Sequence, residues 1–243
     1  LKGLAGRKRV CMELGGNAAA IVHEDANLEY AVSRIANGGV ANAGQNCISV
    51  QRVFLHRPIY NHVLEMLVDK FSTFKVGDPR DPDTVVGPMI DKRAAAEAYE
   101  KIQEAVQQGA KIAFGGKLEG ALLYPTILID TTPEMRVNST EMFAPVITVS
   151  PYDTWDEAIK LANQTDFGLQ SGIFTQNINR IMRAFEEIQV GGLQVNDVST
   201  FRIDQMPYGG VKGSGQGREG PKYAIEEMTE PKLMVLNLPG GKE

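Results

Sequence analysis

The chain has 243 residues, with 25 lysines and arginines against 30 aspartates and glutamates, two cysteines and a formal net charge of −5. Its 43% apolar content can supply a sizeable core, which excludes a disordered chain, and the acidic balance excludes nucleic-acid binding driven by a basic field. No apolar run reaches the roughly 18 residues of a membrane span, and two cysteines make no disulfide framework, so no membrane partner and a reducing, cytoplasmic setting are expected.

The chain opens at Leu1-Lys2-Gly3 without a methionine or a targeting segment and reads as a piece of a longer polypeptide. A strand-like run over 10–14 ends at Gly15-Gly16-Asn17. Helical periodicity follows over 28–43, then a strand over 50–56 and helices over 60–74 and 92–108. Strand patterns at 111–114, 123–129 and 146–151 precede a helix over 156–163, opened by the acid-rich cap Asp153-Thr154-Trp155-Asp156-Glu157. A strand over 172–175, a helix over 178–188 and a strand over 192–196 complete the alternation. Strands separated by helices of this length imply βαβ units. The expected fold class is therefore α/β, an open, largely parallel twisted sheet with helices on both faces and with Val53, Phe54, Ile127, Ile129, Ile147, Ile173 and Val195 in its core. After a glycine-rich stretch over 209–220 and a short helix, the alternating run 231–238 has no helix behind it. It either closes the chain's own sheet or adds to an edge elsewhere, which divides the chain into a body over 1–230 and a terminal strand and tail over 231–243.

Two side chains stand out for chemistry. Cys47 lies in Asn42-Ala43-Gly44-Gln45-Asn46-Cys47-Ile48-Ser49, where Gly44 allows a sharp turn after a helix. It is either an accessible loop thiol or a small buried hydrophobe. Glu13 sits at the end of a strand pattern before a glycine turn, so it is either a proton acceptor tuned by partial burial or a surface turn residue. Cys11, inside an apolar pattern, is expected in the core. Gly215-Gln216-Gly217-Arg218-Glu219-Gly220 fits a dinucleotide fingerprint in letters only, since no βαβ unit follows. It is read as a shaped loop, turned by Pro207-Tyr208-Gly209-Gly210, with Lys212 and Arg218 exposed. His23, His56 and His62 are scattered without ligand spacing, so no metal is expected, and His23-Glu24-Asp25 reads as a turn.

Met12-Glu13-Leu14-Gly15-Gly16-Asn17 and Gly44-Gln45-Asn46-Cys47 together closely resemble the paired signatures of the aldehyde dehydrogenase superfamily. Gly87-Pro88-Met89-Ile90, Pro125-Thr126-Ile127-Leu128, Glu141-Met142-Phe143-Ala144-Pro145-Val146, Val195-Asn196-Asp197 and Pro207-Tyr208-Gly209-Gly210-Val211-Lys212-Gly213-Ser214-Gly215 follow in family order. The resemblance covers essentially the whole chain and makes 1–230 a catalytic domain. It implies an aldehyde as the small-molecule substrate and NAD or NADP as cofactor, with Cys47 as nucleophile, Glu13 as general base and Glu230 as a carboxylate in a proton path behind it. It further implies Glu141 at the nicotinamide ribose, Phe143 beside the nicotinamide, Leu14 and Gly15 along the cofactor, Asn46 and Ile48 against substrate, and Phe201 and Arg202 at the tunnel mouth. Arg202 departs from members with an aromatic tunnel and suggests a small polar or anionic aldehyde; the run 195–208 looks most like the lactaldehyde-type branch. Family members are about twice as long. Their amino-terminal coenzyme domain, with the oxyanion asparagine, is absent here, and their terminal strand joins a neighbouring subunit, which implies a homo-oligomer. Two rivals remain: an oxidoreductase passing the acyl group to coenzyme A, for which Glu13 has little use, and a catalytically silent oligomerisation module.

Overall fold

The computed structural model describes residues 2–240. Seven strands form one sheet: β1 (Ala18–Val22), β2 (Val50–His56), β3 (Lys111–Phe114), β4 (Thr126–Ile129), β5 (Val146–Tyr152), β6 (Gln170–Phe174) and β7 (Gly192–Val195). Their spatial order is β7-β6-β1-β2-β5-β4-β3, and every pair is parallel except the edge pair β3–β4. The α/β class and the largely parallel sheet are thus as the alternating pattern predicts.

Helices cover both faces: α1 (Leu28–Val40), α2 (Tyr60–Ser72), α3 (Lys92–Gln107), the single turn α4 (Arg136–Ser139), α5 (Trp155–Asn163), α6 (Ile178–Glu187) and, outside the layers, α7 (Pro221–Met228). Side chains that alternate along β1 and β2 separate into two cores, as the two-residue period of a strand requires. Ala20, Val22, Val53 and Leu55 pack with Ile35 of α1 and Val63, Leu67 and Phe71 of α2. Ala19, Ile21 and Phe54 pack with Trp155, Ala158 and Ile159 of α5 and Ala184 of α6. Starts of helices are capped where the sequence offers short polar side chains: Asn27 accepts from the Tyr30 N–H, Asp91 from Ala94, and Thr154 from Glu157.

Several expectations need correction. The central strand β1 has no counterpart in the predicted strands, because Ala-Ala-Ala-Ile-Val neither alternates nor carries the β-branched signal until its end. The run 10–14 forms only the two-residue ribbon Met12–Glu13, antiparallel to Gly215–Gln216 and outside the sheet, so Glu13 does not end a sheet strand. Pro125 separates β4 from a small hairpin of Leu118–Glu119 with Leu122–Leu123. Val195 lies on the edge strand β7 and is 41% exposed, Ile129 is half-buried, and Cys11 is exposed rather than core. Residues 231–238 form no strand within this chain and stand in solvent. The tail expected over 231–243 runs on into residues 241–243, which with Leu1 lie outside the described residues.

Candidate active site

Cys47 is presented by an unusual turn just ahead of β2. Helix α1 stops at Val40, short of the predicted end, because Asn42, Ala43 and Gly44 all adopt left-handed backbone, with φ of 53°, 54° and 68°. Gly44 is needed for a second reason: a Cβ there would lie 2.0 Å from the Ala144 carbonyl oxygen. Asn46 then closes the turn, its Oδ1 accepting from the Ile48 N–H at 3.1 Å while its carbonyl accepts from Ser49. The half-buried thiol of Cys47 rests on a small apolar floor of Ile48, Leu169 and Tyr208, and its Sγ is 3.1 Å from the Tyr208 hydroxyl.

Glu13 is placed by the glycine-rich loop. Beyond the ribbon with Gly215–Gln216, the Leu14 N–H donates to the Ser214 carbonyl, and the buried Ser214 hydroxyl donates to Gly15 and accepts from Gly168. A Cβ at Gly209 would come within 3.1 Å of Glu13 Oε1. Both carboxylate oxygens are shut off from solvent, and neither has a hydrogen-bond partner among the described residues. Burial, followed by the nearby Glu219 carboxylate, pushes the Glu13 pKa above its ordinary value, against the pull of Arg202 and Arg218. Tyr208 joins the two centres: its hydroxyl touches Cys47, and the Glu13 charge acts on the same phenol.

The remaining sequence candidates separate into those near this centre and those away from it. Glu141 Oε1 accepts from the Gly16 N–H at 2.8 Å, and burial raises its pKa. A Cβ at Gly15 would lie 2.6 Å from Glu141 Oε2, and one at Gly16 would lie 2.0 Å from the Cys47 carbonyl, so only glycines let this turn pass between the Glu141 carboxylate and the thiol loop. Phe143, at φ 48°, and Leu14 are exposed beside it. Ile48 is buried beneath the thiol and Asn46 is spent on its turn, so these residues shape the floor. Phe201 is exposed; Arg202 lies over the Tyr208 ring at 4.1 Å and donates to Glu219 at 2.8 Å. Glu230 is not behind Glu13: it is exposed and paired with Arg9 at 2.8 Å, because α7 carries it away from the site. The carboxylate whose charge acts on Glu13 is Glu219, which sequence reasoning passed over as part of a loop, as it did Tyr208. Lys212 is exposed as expected, but Arg218 is half-buried and donates to the Gly210 and Gly217 carbonyls.

The fold also gathers two of the scattered histidines. Among the described residues His23, Glu24 and His56 form a group of potential metal ligands, with the imidazole rings 4.2 Å apart. His23 Nδ1 already accepts from the Glu24 N–H, and Asp25 is paired with Arg180. This group lies at the carboxyl end of the sheet strands, opposite Cys47.

Over residues 2–234 the chain matches the aldehyde dehydrogenase family model. It belongs to the aldehyde dehydrogenase family. The 3-sulfolactaldehyde dehydrogenase of Priestia aryabhattai is 50% identical over 238 residues, which is 98% of this chain and 50% of that protein. The structure of aldehyde dehydrogenase 21 from Physcomitrella patens, in complex with succinate, superposes with a TM-score of 0.95 at 43% identity, covering 98% of this chain and 50% of the other. The glyceraldehyde-3-phosphate dehydrogenase of Methanocaldococcus jannaschii, complexed with NADP, gives 0.91 at 43% identity over 93% and 49%. This aldehyde dehydrogenase chain thus spans about half the length of the curated relatives it matches.

Proposed function

We propose that this chain is the catalytic portion of an NAD(P)-dependent aldehyde dehydrogenase that oxidises a small anionic or hydroxylated aldehyde to the carboxylate. One observation carries the reading: Glu13 is a carboxylate sealed from solvent with no donor on either oxygen among the described residues, and its charge acts on the tyrosine that touches the Cys47 sulfur. A structural glutamate in such a place would be paired. A proton acceptor for a substrate water keeps its oxygens free of protein donors.

In this mechanism the Cys47 thiolate adds to the aldehyde carbon and forms a C–S bond, which holds the acyl group through both halves of the reaction. Bound NAD or NADP supplies the hydride acceptor, and the Gly15–Gly16 turn with Glu141, Phe143 and Leu14 is the surface on this chain that fits it. Glu13 then takes a proton from water, the hydroxide adds to the thioester carbon, and the C–S bond breaks to release carboxylate and thiolate. Glu13 also disfavours transfer to coenzyme A, where a water-activating base has no task.

Arg202 supports the anionic class: among the described residues one of its N–H groups is committed, to Glu219, leaving donors at the site's edge. Sulfolactaldehyde, succinate and glyceraldehyde 3-phosphate, in the relatives' names, all carry such a group. The exposed run Leu233-Met234-Val235-Leu236 supports a homo-oligomer in which the tail pairs with a sheet edge such as β7 on another copy.

The test is a substrate panel on the full-length enzyme carrying this chain. Anionic and hydroxylated aldehydes are expected to outperform long apolar ones. Cys47→Ala abolishes turnover, and Glu13→Gln keeps a burst but slows the steady state. Unchanged steady-state turnover in Glu13→Gln across neutral pH would remove the base from the mechanism. By itself the chain is expected to bind NAD weakly or not at all, since it offers one wall of the cofactor site; saturable binding at micromolar levels in a calorimeter would contradict this.

A further inference from the structure

We infer that the Tyr208 hydroxyl is a further catalytic group, which holds Cys47 Sγ by a hydrogen bond and stabilises it as the attacking thiolate. The inference rests on Cys47 being the nucleophile and adds a residue to that site. The contact is direct, at 3.1 Å, and its direction follows from where the proton resides. Burial, then the hydrogen bond to Cys47, then the Cys47 and Glu13 charges all raise the Tyr208 pKa far above its ordinary value, with only Arg202 opposing. The phenol therefore keeps its proton throughout the working range, and once the sulfur is ionised only the O–H can donate. A charge-assisted bond of this kind is among the stronger ones available to a side chain.

The surroundings hold that hydroxyl still. Tyr208 is buried, and its backbone exchanges two hydrogen bonds with Glu219, N–H to carbonyl at 3.2 Å one way and 2.6 Å the other. The Glu219 side chain fixes Arg202, whose guanidinium lies 4.1 Å above the phenol ring. A cation over the ring withdraws electron density and makes the O–H a better donor. Among the described residues Glu13 and Arg202 are the charged groups that act on the Tyr208 phenol besides Cys47, with Glu219 holding Arg202, and none of the three lies in the seven-stranded sheet. When the sulfur forms its bond to carbon it becomes a poor acceptor, so the hydroxyl is released as the nucleophile is consumed, and the proton stays on Tyr208.

Alkylation reads this without needing turnover. In the full chain with Cys11→Ser, iodoacetamide reacts only at Cys47, the thiolate displacing iodide, and mass spectrometry follows the rate from pH 5 to 9. Tyr208→Phe, which keeps the ring under Arg202, is expected to slow the reaction at pH 7 about ten-fold and to move the half-maximal pH upward. Trp155, buried at the start of α5, reports by its emission that the variant is folded. A 3-fluorotyrosine at position 208, a stronger donor in an unaltered fold, is expected to move the half-maximal pH downward. Identical rate–pH curves for these chains would overturn the role of the hydroxyl. If instead Cys47 in the parent reacts no faster than Cys11 does in a Cys47→Ser chain, the nucleophile assignment itself fails, whatever Tyr208 does.

Discussion

The sheet and the flank that carries Glu13 differ in where their side chains find partners. Between β1 and β7 the apolar faces are covered from within the chain, by α1 and α2 on one side and α5 and α6 on the other. In the flank, over 2–16 and 201–240, helix α7 buries no side chain, Cys11 is exposed, and Leu233 and Met234 are 86% and 82% exposed. The contrast teaches that this chain stabilises its sheet by its own packing and offers its flank as contact surface. Cys47 belongs to the first region and Glu13 to the second, and Tyr208 touches the Cys47 sulfur across the seam.

Substitutions on either side sharpen or break that contrast. The largest effect is expected at Arg52, buried among the strands, which donates to Asn17, Leu161 and Ala162 and has no carboxylate partner. Burial lowers its pKa to about 10, so it stays charged at neutral pH. Arg52→Ala leaves those acceptors unpaired around a void and should cost about 3 kcal/mol in urea denaturation; a loss well under 1 kcal/mol would show that the sheet is not where stability resides. Glu13→Gln should act in the opposite direction. Because the folded pKa of Glu13 is raised, its favourable contribution is present below the ordinary value of 4.5 and lost as pH rises through the raised value. The variant should therefore melt higher than the parent at neutral pH and together with it near pH 4, as followed by calorimetry. The smallest change in stability is expected at Leu236→Lys, which should leave the melting of the dilute chain within about 0.5 kcal/mol while reducing self-association in sedimentation. A marked fall in melting temperature would place the tail against its own chain.

Legibility in the sequence followed the same division. The strand over 50–56 and the helices over 60–74 and 92–108 are written in local periodicity and short polar caps, and the structure keeps them nearly to the residue. β1 was hidden because alanine says little about strands, although parallel packing on both faces accepts it. Cys47 and Glu13 stood out by local pattern but stayed ambiguous there, and only the family motifs favoured a chemical role for them. Tyr208 and Glu219 were missed for a physical reason. Tyr208 reads as a turn former and Glu219 as a loop acid, and what makes them matter is contact with residues far along the chain, which no short window contains. Glu230 was misplaced for the converse reason: a proline-flanked glutamate near the end of the chain resembles many others until α7 shows where it points.

The close approaches of Gly15 to Glu141, Gly16 to the Cys47 carbonyl and Gly44 to Ala144 interlock three stretches of backbone with no slack between them. An insertion or deletion in any one of them would dislocate the other two. Anyone redesigning this chain by exchanging loops with a relative should therefore transplant 12–17, 42–49 and 141–145 as one cassette, because a single borrowed stretch would arrive without its mates.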